Sequence, residues 1–256
     1  MAYLKWSVTD LVGTITVDRP PANALSTKLL NELSLLLDEI EQDSKVRVVV
    51  LHGEGRFFSA GADIKEFTTI ASNEQFSDLT RFVQNLFERI ESYPKPIIAV
   101  IHGAALGGGM ELAMACTFRL VSTNALLGLP ELQLGLIPGY AGTQRLPRFV
   151  GTGLAAEMML TSEPITGEEA VKYGLANHAY PESELLENAY AIARKIAKKS
   201  PVSVKATLEL LQYNKTKNFY AGVQKEAELF GKVFISEDAK EGISAFINKR
   251  EPNFRG

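Results

Sequence analysis

Val48-Val49-Val50-Leu51-His52-Gly53 and Ile98-Ala99-Val100-Ile101-His102-Gly103 are two versions of one phrase. Each is an uncharged, β-branched run, the pattern of a strand buried on both faces of a parallel sheet. Each ends in His-Gly and leads to a glycine-bearing loop. The first loop is Ser59-Ala60-Gly61-Ala62-Asp63 and the second is Gly107-Gly108-Gly109. Between the two strands, Phe76 to Ile90 carries apolar residues at helical spacing, and Pro94 and Pro96 stop it. A strand, loop and helix used twice, side by side, sets both loops at one edge of a sheet. α/β proteins carry their chemistry at that edge, beyond the strand C-terminal ends.

The rest of the first half fits the same class. Val12 to Val17 alternates as a strand does. Ser26 reads as an N-cap, and Leu29, Leu30, Leu33, Leu36, Leu37 and Ile40 follow at helical spacing. From about Ala141 the pattern becomes helical almost throughout. Thr166-Gly167-Glu168-Glu169 predicts a short capped helix. Longer helices are predicted over Glu182–Lys199, Val202–Tyr213, Phe219–Phe234 and Glu237–Asn248. The expected division is an α/β core over residues 1–195 and a helical region over 196–256, with no flexible linker between them. With 256 residues, 46% of them hydrophobic, the chain can bury one large core.

Bulk properties remove several function classes. Net charge is −3 with no dominant basic stretch, which argues against a nucleic-acid partner. The lone Cys116 cannot form an intrachain disulfide and reads as a small core residue in a reducing compartment. Met1-Ala2-Tyr3-Leu4-Lys5-Trp6 does not resemble a signal peptide, and apolar runs break before membrane-spanning length. A soluble, cytoplasmic protein is expected. There is no Cys/His cluster at metal-ligand spacing, so no metal is expected. No G-x-S-x-G nucleophile motif occurs. The glycines run Gly103-x-x-x-Gly107-Gly108-Gly109 rather than G-x-G-x-x-G, so no dinucleotide cofactor is expected. His52, His102 and His178 read as structural.

Two glutamates stand out against this background. Glu111 closes Ala104-Ala105-Leu106-Gly107-Gly108-Gly109-Met110-Glu111, and Glu131 opens Pro130-Glu131-Leu132-Gln133-Leu134-Gly135. Both lie in apolar runs, where a carboxylate is either paired or has a raised pKa. A structural pairing with Arg119 or Arg145 is the plain alternative. The functional reading rests on the glycine turns. First-turn amides of a helix have no internal partner, and glycine lets a ligand approach them closely. Gly108 N–H is one candidate oxyanion donor and Ala62 N–H, from the other loop, the second. Glu111 lies three residues after Gly108, in the same helical turn.

These segments resemble the crotonase (enoyl-CoA hydratase/isomerase) superfamily, and most of all its enoyl-CoA hydratases. The resemblance runs through Arg19-Pro20-Pro21-Ala22-Asn23-Ala24-Leu25, Phe57 to Lys65, Gly103 to Glu111, Pro130 to Leu146, and Phe246 to Phe254. It implies a spiral of ββα units with a helical C-terminal trimerisation region, usually a dimer of trimers. It implies an acyl-CoA substrate, with coenzyme A part of that substrate rather than a cofactor. Position by position, it implies oxyanion donors at Ala62 and Gly108, Glu111 as base on water, and Glu131 as the acid at Cα. It puts CoA along Ala22, Ala24, Ala60 and Ile64, with Lys65 near the phosphates, and Gly139 near the substrate. Phe230, Phe246 and Lys249 match positions that close the CoA site, in some members from a neighbouring subunit.

The expected reaction is hydration of a 2-enoyl-CoA to a 3-hydroxyacyl-CoA, in fatty-acid β-oxidation. The alternatives are a Δ3-Δ2 enoyl-CoA isomerase or another acyl-CoA lyase of the family, which needs fewer carboxylates, and a non-catalytic CoA- or RNA-binding scaffold. Tyr140 departs from the family pattern, standing where many hydratases have a small residue. It is expected to restrict the acyl pocket.

Overall fold

The computed structural model describes residues 1–67, 73–215, 230, 232 and 236–255. Its main sheet has six strands in the order β1 (Leu4–Thr9), β2 (Val12–Val17), β3 (Val48–Gly53), β5 (Ile97–Ile101), β7 (Phe118–Ser122) and β10 (His178–Tyr180). Only β1 and β2 pair antiparallel; the remaining pairs are parallel. A second sheet of four short strands joins β4 (Phe57–Ser59), β6 (Ala104–Leu106), β8 (Leu126–Gly128) and β9 (Ile165–Thr166).

Strands β3, β5 and β7 each run directly into β4, β6 and β8 of the second sheet, and a helical segment follows. The repeat is therefore strand, strand, helix, used three times as a spiral. The sequence shows two of these turns, and it shows each second strand only as a loop. Three residues are too few to carry a period. The His-Gly endings mark where the chain crosses from one sheet to the other. A Cβ at Gly53 would lie 2.2 Å from the Phe57 carbonyl oxygen, and one at Gly103 would lie 2.0 Å from that of Arg56. Only glycine allows backbone to pass so close.

Alternation within the main sheet divides the core in two. Val49, Leu51, Ile97, Ala99, Ile101 and Val121 face a large cluster built with α1 (Thr27–Gln42), α3 (Asn73–Glu91) and α4 (Gly108–Ala115). Val48, Val50, Ile98, Val100 and Leu120 face the other way, onto Leu185, Ala189, Ala193 and Ala197 of α7 (Glu182–Ala197). Burial on both faces is why these strands read as unbroken apolar runs. Helix α1 starts where Ser26 accepts from Leu29 N–H. A single four-residue turn, α2 (Ile64–Phe67), precedes α3.

The C-terminal half is largely helical, as its periodicity predicts. It comprises α5 (Gly142–Thr161), α6 (Gly167–Lys172) with a complete Thr166–Glu169 capping box, α7, α8 (Pro201–Leu211) and α9 (Glu237–Ile247). The helix predicted over Phe219–Phe234 lies almost wholly outside the described residues. Among the described residues no helix is long and apolar enough to cross a membrane.

Candidate active site

The first loop is fixed by the segment that precedes α1. Leu25 N–H donates to the Gly61 carbonyl at 2.8 Å, and Asp63 N–H donates to that of Leu25 at 3.2 Å. Ala60 N–H donates to the Ala22 carbonyl at 2.9 Å. Arg19 ties the same two segments, bonding the Ala24 carbonyl at 3.0 Å and Asp63 Oδ2 at 2.5 Å. The bridge uses the groups either side of Ala62, so the Ala62 N–H points away from Leu25.

It points toward the start of α4. Gly107, the N-cap, has φ 50° and ψ −128°, a conformation closed to other residues without strain. The next amide, Gly108 N–H, belongs to the first helical turn and has no intrahelical acceptor. A Cβ on Gly108 would lie 3.3 Å from Ala62 N, and one on Gly61 would lie 3.2 Å from Gly108 N. The two amides therefore meet at one corner. Neither finds an acceptor among the described residues.

Glu111, on the same helix, is 1% exposed. Its Oε1 accepts from Tyr140 N–H at 2.8 Å and from Gly142 N–H at 2.7 Å. Pairing with arginine, the plain alternative, does not occur. Arg119 is spent on the carbonyls of Leu175, Ala113 and Cys116, and Arg145 on Glu91 and the Tyr140 carbonyl. Burial pushes the Glu111 pKa up to about 7; the Gly142 and Tyr140 amides pull against it, and the charge of Glu131 adds to the rise.

Glu131 opens a 3₁₀ turn, Glu131–Leu134, after β8. This is the third turn of the spiral delivering a side chain to the same cavity. Glu131 Oε1 lies 3.1 Å from where a Cβ on Gly107 would be, which sets its carboxyl against the glycine turn. Its Oε2 is buried with no hydrogen-bond partner among the described residues. Burial raises its pKa. An unsatisfied buried oxygen costs roughly 1–3 kcal/mol, and a group kept that way calls for a reason.

All of these groups line one cavity of about 710 Å³. Ala60, Ala62, Ile64, Gly108, Glu111, Glu131, Gly139 and Tyr140, every one anticipated from sequence, border it. The Tyr140 ring is buried and meets Phe87 edge-on, with centroids 5.7 Å apart. Other sequence candidates lie elsewhere in the single chain. Ala22 and Ala24 sit on the strap behind the first loop, and Lys65 is exposed on α2. Phe230 is 69% exposed, and Lys249 is exposed at a turn with φ 52°. Phe246 lies on α9, its side chain outside the described residues.

Several cavity residues escaped the sequence reading. Ser77, Thr80, Arg81 and Gln84 form one wall from α3, and Gln84 donates to the Gly139 carbonyl at 2.8 Å. Their signal was present as a polar stripe at helical spacing, opposite Val83, Leu86, Phe87 and Ile90. Read alone, such a stripe is an ordinary solvated face. Leu134, Leu136, Ile137 and Pro138 also line the cavity. His52 and His102 are structural, as expected, and His178 is exposed at the start of β10. His52 bonds Thr16 and the Gly53 carbonyl, and His102 bonds the Gly55 carbonyl. Cys116 is buried, with its thiol pushed up to about 12 by burial.

The family described as enoyl-CoA hydratase/isomerase matches residues 8–256. A probable enoyl-CoA hydratase of Bacillus subtilis is 55% identical over all of both chains. A short-chain-enoyl-CoA hydratase of Clostridium acetobutylicum is 42% identical, covering 94% of this chain and 92% of its own. The 1.8 Å crystal structure of an enoyl-CoA hydratase from Bacillus anthracis superposes with a TM-score of 0.95 at 39% identity, over 99% of each chain. The spiral of strand pairs, the two converging amides and the end-to-end match lead to one conclusion: the chain belongs to the enoyl-CoA hydratase/isomerase family and has the crotonase fold.

Proposed function

We propose that the protein is an enoyl-CoA hydratase, adding water across the 2,3 double bond of a 2-enoyl-CoA. One observation carries the reading. A glutamate fixed by two amides and a glutamate with an unpartnered buried oxygen line one cavity, beside two unpaired N–H groups. Glu111 Oε1 holds two hydrogen bonds that favour its carboxylate form, which suits the base. Burial raises both carboxyls, but Glu131 Oε2 has no such amides to hold its carboxylate form, which suits the acid.

The steps balance with these groups alone. Water oxygen bonds to Cβ as Glu111 takes its proton. The π pair shifts through Cα to the thioester oxygen, where Ala62 and Gly108 N–H groups hold the developing charge. The enolate re-forms its carbonyl as Glu131 delivers a proton to Cα. Coenzyme A enters only as part of the substrate. We place it along Ala22, Ala24, Ala60 and Ile64, with Lys65 near the phosphates. Phe230, Phe246 and Lys249 are assigned to closing that site from a neighbouring subunit in a dimer of trimers. The apolar wall at Leu134, Leu136 and Ile137 supports an alkyl chain, and with it a place in β-oxidation.

The test is loss of enoyl absorbance with crotonyl-CoA and longer 2-enoyl-CoAs, with the product identified. Formation of 3-hydroxyacyl-CoA is the expected result. A double-bond shift from a 3-enoyl-CoA without hydration would move the protein to the isomerases.

A further inference from the structure

Arg145 is one of few charged side chains in the core, 4% exposed, and the reaction above gives it no role. Its position on α5 is specific. Nη1 donates to the Tyr140 carbonyl at 2.8 Å, and Nε donates to Glu91 Oε2 at 2.9 Å. Its own backbone N–H donates to the Ala141 carbonyl at 2.9 Å. The loop it grips, 140–142, is the one whose Tyr140 and Gly142 amides hold Glu111 Oε1. Two successive hydrogen bonds thus join the guanidinium to the proposed base, through a single residue.

Glu91 braces Arg145 from the end of α3. Burial works to raise its pKa, and the Arg145 and Arg148 guanidiniums outweigh burial, so the carboxyl stays ionised below the ordinary range. Arg148 reaches Glu91 Oε1 at 2.8 Å, and Lys215 reaches Oε2 at 3.3 Å. Gln212 donates to the Glu91 carbonyl at 2.7 Å. Helix α3, helix α5 and the segment after α8 are pinned at this one acid. A mostly buried ion pair does not earn its place by stability alone, since an apolar pair of the same volume is often as stable. It does fix geometry, and an error of about 1 Å in a reacting group can cost about 10²-fold in rate.

We infer that Arg145, held by Glu91, is a positioning residue that clamps loop 140–142 so that its two amides present Glu111 to the substrate. The kinetic part of this inference rests on the hydratase reading; the structural part does not. The groups facing Glu111 are Glu131 from the 3₁₀ turn and Tyr140 and Arg145 from the loop and α5. Those facing Arg145 are Glu88 and Glu91 of α3.

The decisive variants are Arg145→Met, Arg145→Lys and Glu91→Gln, with Arg148→Met as control. Arg148 binds the same Glu91 but has no hydrogen bond to the loop. Arg145→Met is expected to lower kcat for crotonyl-CoA at least 10-fold with KM within about 3-fold. It is also expected to move the acid limb of kcat/KM to higher pH, because a cation near Glu111 is lost. Arg145→Lys should recover much of both, and Arg148→Met should match the wild type. In a crystal structure of Arg145→Met, the Tyr140 N to Glu111 Oε1 distance should open beyond hydrogen-bond range. If Arg145→Met does not fold, Arg145→Lys and Glu91→Gln carry the same measurements, with smaller shifts expected. Wild-type kcat and an unmoved acid limb in folded variants would overturn the inference, as would an unchanged Glu111 contact in the crystal. If the wild type does not hydrate any 2-enoyl-CoA, the hydratase reading fails, and the crystallographic distance still decides the clamp.

Discussion

At the scale of single residues, two carboxyls border one cavity in different surroundings, and the proposed reaction gives each its own role. Glu111→Gln and Glu131→Gln should each lower kcat for crotonyl-CoA hydration by at least ~10²-fold with little change in KM. A near wild-type rate in either variant would make that residue structural. Glu111 also predicts a pH dependence. Its folded pKa of about 7 lies above its ordinary 4.5, so the folded state binds the extra proton between those values. The proposed base is then ionised only above about pH 7, and kcat/KM should fall as pH drops through it. Stability runs the opposite way. The contribution of Glu111 is most favourable below about 4.5 and is lost as pH rises through about 7. Glu111→Gln should therefore gain in Tm relative to the wild type between pH 5 and pH 8. A constant Tm difference by calorimetry would contradict a buried carboxyl whose pKa burial has raised. Tyr140 gives a separate residue-scale prediction. Its ring borders the cavity, and Cε2 lies 3.0 Å from where a Cβ on Gly108 would stand. Tyr140→Ala should raise kcat/KM for long enoyl-CoAs relative to crotonyl-CoA. An unchanged ratio across chain lengths would refute a restrictive ring.

At the scale of elements, the site is made by strand pairs that deliver loops to one place. Leu25 and Ala62 form a bridge whose outward amide faces α4, and α4 begins with an amide facing back. Gly108→Pro tests this arrangement, read against Gly108→Ala, which adds the same Cβ 3.0 Å from the Tyr140 ring but keeps the N–H. Proline is accepted at the first position of a helix, so α4 should survive while the N–H donor is lost. The expected cost is roughly 3 kcal/mol of transition-state stabilisation, near 10²-fold in kcat. Circular dichroism must accompany the assay, and normal turnover in a folded variant would remove the oxyanion role. Two of the three spiral turns were legible in sequence, because β3 and β5 are long, β-branched and followed by glycine. The third, β7 to β8, was not. Phe118-Arg119-Leu120-Val121-Ser122 carries a buried arginine that breaks the run, and its guanidinium is satisfied only by carbonyls brought from Ala113, Cys116 and Leu175. No local pattern announces such partners.

At the scale of the whole molecule, the single chain leaves apolar surface uncovered beyond its core. No residue of α8 is fully buried, and Leu211, Phe230 and Ile243 are 55%, 69% and 48% exposed. The apolar residues of 216–229 and 233–235 fall outside the described segments. Surface of this kind on a C-terminal helical region is suited to self-association. Light scattering is expected to show a trimer or hexamer, and a stable, fully active monomer at assay concentration would refute that. Lys249 is exposed near this surface rather than at the cavity of its own chain. If it serves a neighbour's CoA, Lys249→Ala should raise KM more than it lowers kcat.

The sequence by itself determined the class of fold, the order of the long elements and the identity of the chemical groups. Apolar period, caps and glycine turns are local signals, and the chain carries them in the open. Ser26, the Thr166–Glu169 box and the Gly107 turn behave as their neighbours in sequence dictate. What the tertiary structure decided is which groups are partnered. Arg119 follows Glu111 closely in the chain and Arg145 adjoins the loop that binds it, yet burial assigned the arginines to carbonyls and Glu91, and gave Glu111 two backbone amides. The cavity's α3 wall and the Glu91–Arg145 clamp likewise join residues more than fifty positions apart. Those pairings follow from desolvation, since a buried polar group left without a partner is costly wherever its partner stands in the sequence, and only Glu131 Oε2 at the cavity is left that way among the described side chains.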